Sequence, residues 1–337
     1  MKPHHTTLPL LAITMGDPAG VGPEIAARAL ADPSLSTLCR AFVVGELAIM
    51  EKAAELVAPG TPLYSLASPG ELVEGAINVL NMHQLDPDTI PVGRTDAACG
   101  KASYEYILSA IHLAREGQVD GVVTGPINKE SLSRAGIPFP GHTEIFAHET
   151  GTEDFTMMFM QDRVAVVHVT THCSLLEAIA KISTDRVLNN IRLLHRALLE
   201  LGLSAPRIAV GGLNPHAGEH GLFGTEEIEH IAPAITRAQS EGIDASGPYP
   251  PDTVFMRAFK GEFDGVVAML HDHGFVALKS RDFERGVNIT VGLPIVRTSV
   301  GHGTAFDIAW KGKASEQSLL EALRVAARMA AAKKQRG

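Results

Sequence analysis

With 337 residues, 45% hydrophobic and 20% charged, the chain can fill a core and divide into two domains, which excludes a disordered or fibrous protein. A formal charge of −9, from 29 basic against 38 acidic residues, excludes a general nucleic-acid binder, because a phosphate-neutralising surface needs clustered Lys and Arg. No stretch approaches the roughly 20 apolar residues of a membrane span, and Cys39, Cys99 and Cys173 show no close pairing, which suits a reducing, cytoplasmic setting without a structural disulfide.

The first predicted element is a buried strand over 10–16 (LLAITMG), which leads into the Gly-rich turn GDPAGVGPE (16–24) and not into a leader cleavage site. A helix opened by Pro23 and carrying Ile25, Ala26 and Leu30 comes next. Apolar runs recur at AFVVG (41–45), VDGVVTG (119–125), FTMMFM (155–160), RVAVVHVT (163–170), RIAVGG (207–212) and DGVVAML (264–270). Helical patterns over 104–116, 186–203 and 226–242 lie between several of them, and this alternation predicts a mostly parallel sheet with helices on its faces. The last helix, 315–333, carries Leu319, Leu320, Leu323, Val325, Ala326 and Met329, a face suited to packing back on the early strands. The first domain is therefore expected to be discontinuous, 1–140 plus 290–337, with a second domain over 141–289. The basic tail Lys333, Lys334 and Arg336 reads as a solvated helix end.

Polar residues with catalytic potential concentrate where predicted strands end: GDPAGVGPE, TGPINK (124–129), GHTE (141–144), TTHC (170–173), GLNPHAGE (212–219), PPDT (250–253), HDHG (271–274) and RTSVGHGTA (297–305). In open α/β sheets ligands bind outside the carboxyl ends of strands. Three clusters place a histidine just after an apolar strand, His172, His216 and His271, and imidazoles fixed at adjacent strand ends can converge on one divalent cation. Each taken singly reads more simply as a surface or hydrogen-bonded histidine. Asp272 could orient His271, or serve only as a cap for the next segment. Lys279, Asn288 and Arg297 with His142 and Thr143 have the chemistry of an anion pocket, although a lone Lys or Arg is more often a surface charge. GDPAGVGPE lacks the GxGxxG spacing of an ordinary dinucleotide site. It reads either as amides facing a polar ligand or as a tight strand-to-helix connection.

Together, ITMGDPAGVGPEI, TGPINK, AGIPFPGHTE, GLNPHAGE, GTEE, PPDTVF, HDHG, RGVNITVGLP, RTSVGHGTA and FDIAWKGKA resemble the 4-hydroxythreonine-4-phosphate dehydrogenase family and its catabolic relatives, over about residues 10–330. The resemblance implies a two-domain α/β fold of the isocitrate and isopropylmalate dehydrogenase type, with mostly parallel sheets and an interdomain cleft. It implies an obligate homodimer whose second domain carries metal, substrate and dimer contacts. One divalent cation (Zn, Co or Mg) is expected on His172, His216 and His271, with ligands from both subunits. Substrate contacts carry over onto His142, Thr143, Lys279, Asn288 and Arg297, and a proton acceptor onto Asp252. HGTAFDIAW (302–310) is similar to the adenosine-binding loop of β-decarboxylating dehydrogenases, which places His302, Gly303, Thr304 and Asp307 near NAD or NADP. Cys173 and His273 depart from the usual family residues at those positions.

The implied reaction is NAD(P)-linked oxidation of 4-phosphohydroxy-L-threonine to a β-keto acid that decarboxylates to 3-amino-2-oxopropyl phosphate. The alternative within the class is oxidation of D-threonate or D-erythronate 4-phosphate in sugar-acid catabolism, and a weaker one a cis-dihydrodiol carboxylate dehydrogenase. From a different class, a two-lobed small-molecule binding protein would need neither metal nor cofactor.

Overall fold

The opening apolar run forms β1 (Leu10–Thr14), and the turn after it leads into α1 (Gly22–Ala31), with Pro23 in its first turn. A computed structural model describes the chain over residues 8–281 and 286–336; residues 1–7, 282–285 and 337, among them Arg285 of RGVNITVGLP, lie outside the described residues. Next come β2 (Arg40–Gly45), α2 (Leu47–Val57), β3 (Leu63–Leu66), β4 (Ile77–Asn81), α3 (Ala97–Arg115), β5 (Gly121–Thr124), α4 (Lys129–Arg134) and α5 (His142–Thr150). The middle of the chain forms β6 (Thr156–Gln161), β7 (Val164–His168), α6 (Leu175–Ala180), α7 (Thr184–Glu200), β8 (Ile208–Gly211), α8 (Ala232–Ser240), β9 (Ala245–Tyr249), α9 (Val254–Phe259), β10 (Gly265–Ala268), α10 (His271–Lys279) and β11 (Val287–Val291). The chain ends with β12 (Arg297–Val300) and α11 (Gln317–Arg336).

Contacts divide the chain into two compact units, Met1–Glu153 with Leu293–Gly337, and Asp154–Gly292. In the first, the strand order is β3-β4-β2-β1-β5-β12, all parallel. Its central strands are fully buried, so they read as continuous apolar runs and not as alternating ones. Helix α11 packs on β5 and β12, and the Thr298 hydroxyl donates to the Ala322 carbonyl at 2.9 Å, which satisfies a polar residue in a buried strand.

The second unit has the order β11-β6-β7-β10-β8-β9. Strand β6 runs antiparallel to both β11 and β7, and the remaining pairs are parallel. Phe159, Val166, Val254, Phe255, Phe263 and Val266 form part of its core. Helix α7 buries Val187, Leu188, Ile191, Leu194 and Leu198, a 3.6-residue repeat that lies against the sheet where Gly265 leaves room for Leu194 and Leu198. The expected α/β class with mostly parallel sheets is borne out. The five strands that the apolar runs did not mark, β3, β4, β9, β11 and β12, are edge or polar-containing segments.

Candidate functional site

Neighbouring parallel strands bring two of the predicted histidines together. The chain beyond β7 keeps pairing with the chain beyond β10, with Val169 N donating to Ala268 O (2.8 Å) and the Thr170 hydroxyl donating to Met269 O (2.7 Å). His172 and His271 therefore leave the sheet at the same edge, and their ring centroids lie 5.9 Å apart. The His271 Nδ1 is 2.7 Å from Asp272 Oδ1, which fixes the ring and leaves Nε2 for another partner, the arrangement that ligating imidazoles use. A cavity of about 290 Å³ lies here, lined by Thr170, Thr171, His172, Cys173, His271 and Asp272.

His168, on β7 beneath this pair, stacks on Phe275 at 4.7 Å. Its ring is buried with no partner for either nitrogen, and burial followed by the neighbouring His271 and His273 lowers its pKa to about 3, so it is a neutral packing residue. Gly274 is required beside it, since a Cβ there would collide with His168 Nε2.

His216 lies after β8, the next strand beyond β10, but its ring contact is with Phe223, at 6.3 Å. Among the described residues, no three His, Cys, Asp or Glu side chains stand together as a metal-holding group. The single chain thus assembles two of the three expected ligands. The backbone around His216 is unusual: His216, Ala217, Gly218, Glu219 and His220 all have positive φ, 53°, 53°, 79°, 42° and 55°. This is a left-handed turn with one glycine, a conformation that costs roughly 1–2 kcal/mol per non-glycine residue. His172 is also strained, with φ 26°. Such strain persists only where the surroundings hold it, and it gathers at functional sites.

Asp252 is exposed, in the segment before α9, and lines a groove of about 770 Å³ with Phe255, Met256, His273 and Val276. Asp272 lines both this groove and the histidine cavity, so the two adjoin. Lys279, exposed on α10, sets its ammonium 5.0 Å over the Phe275 ring. Asn288 sits half-buried on β11 opposite Phe159.

In the first unit, Arg297 opens β12 and is 3% exposed. Its Nη2 donates to Thr124 Oγ1 at the end of β5 (2.7 Å), and its guanidinium lies 5.5 Å from the Phe146 ring centre. Burial lowers its pKa to about 9, against the pull of Glu144. His142, the first residue of α5, is held well below the ordinary histidine value by burial and then by Arg297, while a hydrogen bond with the Gly125 backbone opposes this. Its Nε2 is shut off from water with no partner. Thr143, next in the chain, is half-buried. A buried guanidinium beside a neutral imidazole and the start of a helix is a setting for an anion.

The GDPAGVGPE turn spends its amides internally. Asp17 N donates to Pro126 O (2.8 Å), Gly20 N to Asp17 O (3.0 Å), and Val21 N to Thr304 O (3.0 Å). Of its two readings, the strand-to-helix connection is the one formed, and it serves as a platform for the 302–312 loop. Glu24, fully buried, accepts from Trp310 N (2.6 Å) and Gly312 N (2.7 Å), while Trp310 Nε1 donates to Pro18 O (3.0 Å). On that loop His302 Nδ1 is 2.8 Å from Gly303 O, Thr304 is buried, and Gly303 and Asp307 face water. Sequence reasoning did not single out Glu24, Thr124 or Asp17. Their signal was their place within the strand-end motifs, whose long-range partners spacing does not reveal. Asp17 is fully buried, and desolvation raises its carboxyl from 3.8 to about 6.

Residues 37–326 match the family model of the pyridoxal phosphate biosynthetic protein PdxA. The chain is 49% identical to a 4-hydroxythreonine-4-phosphate dehydrogenase of Beijerinckia indica, over 95% of this chain and 94% of the relative. It is 47% identical to a D-threonate 4-phosphate dehydrogenase of Cupriavidus necator, over 96% and 98%. The crystal structure of a 4-hydroxythreonine-4-phosphate dehydrogenase from Klebsiella pneumoniae matches with a TM-score of 0.88 at 43% identity, covering 96% of this chain and 99% of that one. The apolar strands, the polar strand ends and these likenesses agree: the chain belongs to the PdxA family of dehydrogenases.

Proposed function

We propose that the chain is an NAD(P)- and divalent-metal-dependent dehydrogenase that oxidises the 3-hydroxyl of a 4-phosphorylated four-carbon acid, after which the β-keto acid loses its carboxylate as CO₂. The observation that carries this reading is the approach of His172 and His271 at 5.9 Å, with Asp272 holding the His271 tautomer. The first substrate is 4-phosphohydroxy-L-threonine, the activity named for the Beijerinckia relative, which yields 3-amino-2-oxopropyl phosphate. The second reading is D-threonate or D-erythronate 4-phosphate, both with a hydroxyl at C2 where the first substrate has an amine; the name of the Cupriavidus relative favours the D-threonate ester.

In this reading His172, His271 and His216 hold a divalent cation (Zn, Co or Mg), whose chemistry when bound is to acidify the substrate hydroxyl and to steady the enolate of decarboxylation. A nicotinamide cofactor, assigned to His302, Gly303, Thr304 and Asp307, supplies the hydride acceptor. Asp252 takes the hydroxyl proton as the C–H hydride leaves, so oxidation releases one proton and one NAD(P)H. Arg297, His142 and Thr143 hold the phosphate, and Lys279 and Asn288 are also assigned to the substrate.

A homodimer completes the site. Leu175 and Leu176 next to His172 are 68% and 82% exposed, and Leu222 and Phe223 near His216 are 72% and 48% exposed. Side chains this apolar, in water beside an incomplete ligand set, suit coverage by a second copy that supplies the missing ligand. Steady-state assays with the three phosphorylated acids test the substrate. NAD(P)H formation that stops with a chelator and returns with Zn²⁺, Co²⁺ or Mg²⁺ is the expected result. No turnover of any of the three would end the proposal.

A further inference from the structure

The left-handed turn at 216–220 needs an anchor, and the structure supplies one from outside it. Glu227 is 3% exposed and lies in the π-helical turn Glu227–Ile231 that precedes α8. Its Oε1 accepts from both Leu213 N and Asn214 N, at 2.7 Å each, and its Oε2 accepts from Asn214 Nδ2 at 2.9 Å. The same Asn214 amide also donates to Glu226 Oε2 at 2.7 Å. The turn folds tightly over the carboxylate: a Cβ at Gly218 would lie 2.7 Å from Glu227 Oε2, and one at Gly212 would lie 3.0 Å from Oε1. Glycine at these two positions therefore makes room for the Glu227 head group.

We infer that Glu227 is the positioning residue for His216. Its buried carboxylate pins the entry to the left-handed turn and so fixes where the imidazole is presented. A carboxylate is required because all three of its bonds are accepted ones: two come from backbone amides and the third from the Asn214 side chain. An amide in its place presents one accepting oxygen, which can serve the two backbone amides or Asn214 Nδ2 but not both sides, and its NH₂ group then opposes the donor left over. Freed of the anchor, a turn with four non-glycine residues at positive φ relaxes toward right-handed backbone and carries His216 away. Glu226 plays a lesser part, since it is only half-buried and accepts from the Asn214 side chain but not from the Leu213 and Asn214 backbone amides that Glu227 holds.

The inference rests on the reading of His216 as a metal ligand, and the test separates the two. Zn²⁺ affinity of the purified dehydrogenase is measured by competition with a chromophoric chelator for wild type, His216→Ala, Glu227→Gln and Glu226→Gln, with amide hydrogen exchange over 213–220 recorded without metal. Glu227→Gln is expected to bind Zn²⁺ about 10–100-fold more weakly, as losses of residues that orient ligands do. It should also exchange the Leu213 and Asn214 amides faster, and saturating Zn²⁺ should restore its kcat but not that of His216→Ala. Glu226→Gln should change affinity by less than about threefold. If Glu227→Gln fails to fold, Asn214→Ala, which removes only the side-chain bond, serves in its place with a smaller loss expected. Weaker binding in His216→Ala with wild-type affinity and exchange in the Glu227 variant, or in Asn214→Ala where that replaces it, overturns the inference alone. Wild-type affinity in His216→Ala overturns the ligand reading and the inference with it.

Discussion

The Arg297 guanidinium, lowered to about 9 by burial, is still charged at neutral pH and lies where a bound anion would offset its desolvation. Replacing it by methionine keeps much of the bulk and removes the charge. Arg297→Met should raise KM for the phosphorylated substrate by about 10–100-fold, the loss expected for one or two charge-assisted hydrogen bonds. Inorganic phosphate is expected to raise the melting temperature of the wild type and not that of Arg297→Met. Asp17 is shifted in the opposite direction by the same cause, since burial disfavours its charged form too. Its carboxyl rises from 3.8 to about 6, chiefly through burial, so the folded state favours the proton. That contribution is complete below pH 3.8 and is lost as pH climbs through about 6, a difference of roughly 3 kcal/mol at 1.36 kcal/mol per pH unit. Asp17→Asn should match the wild type in denaturant unfolding near pH 4 and exceed it in stability near pH 8. A constant gap at both pH values would show that the carboxyl is not the titrating group.

Among the elements, the 302–312 loop depends on the turn after β1. The chain has one tryptophan, Trp310, held by Glu24 and Pro18, so its emission reports the loop directly. Glu24→Gln leaves one of the two amide donors without an acceptor, which costs about 1–3 kcal/mol. Trp310 emission should shift to the red, and NAD(P) affinity should fall, with wild-type emission counting against the platform. This dependence also marks the limit of what the chain order revealed. Strands β1, β2, β5, β7, β8 and β10 were legible because burial on both faces demands unbroken Val, Ile and Ala, and their polar ends marked the site. Strand β12 was not, because Arg-Thr-Ser-Val is buried through side-chain hydrogen bonds to Thr124 and α11 that no local pattern encodes. Helix α3 was expected only from 104, yet it begins at Ala97, where Gly100 permits close packing on Ser131 of α4. The histidines His172 and His271 were placed by strand adjacency, which alternation implies. The handedness of the turn at His216 was not, since the carboxylate that holds the chain at its entry, Glu227, lies eleven residues from His216.

At the level of the whole molecule, the exposed leucines of α6 are the feature most open to test. Leu176→Asp places a charge at a position that is 82% exposed in the single chain, so the isolated fold should lose less than about 0.5 kcal/mol. In the proposed dimer the same change should weaken association, read by sedimentation as a shift toward monomer, and lower Zn²⁺ affinity in step. A variant that remains dimeric with full affinity would remove α6 from the interface. The order of the chain carries a further consequence. The second unit, Asp154–Gly292, is one uninterrupted stretch, whereas the first lacks β12 and α11 until residues 293–337 are made. On a ribosome, where segments fold in the order they emerge, the histidine-bearing unit can finish while the earlier strands still wait for their last neighbour. Arg297 arrives with that neighbour, so a nascent chain folds the unit that carries His172, His216 and His271 before it can bury Arg297 against Thr124, and one truncated before 297 keeps the first setting without ever forming the second.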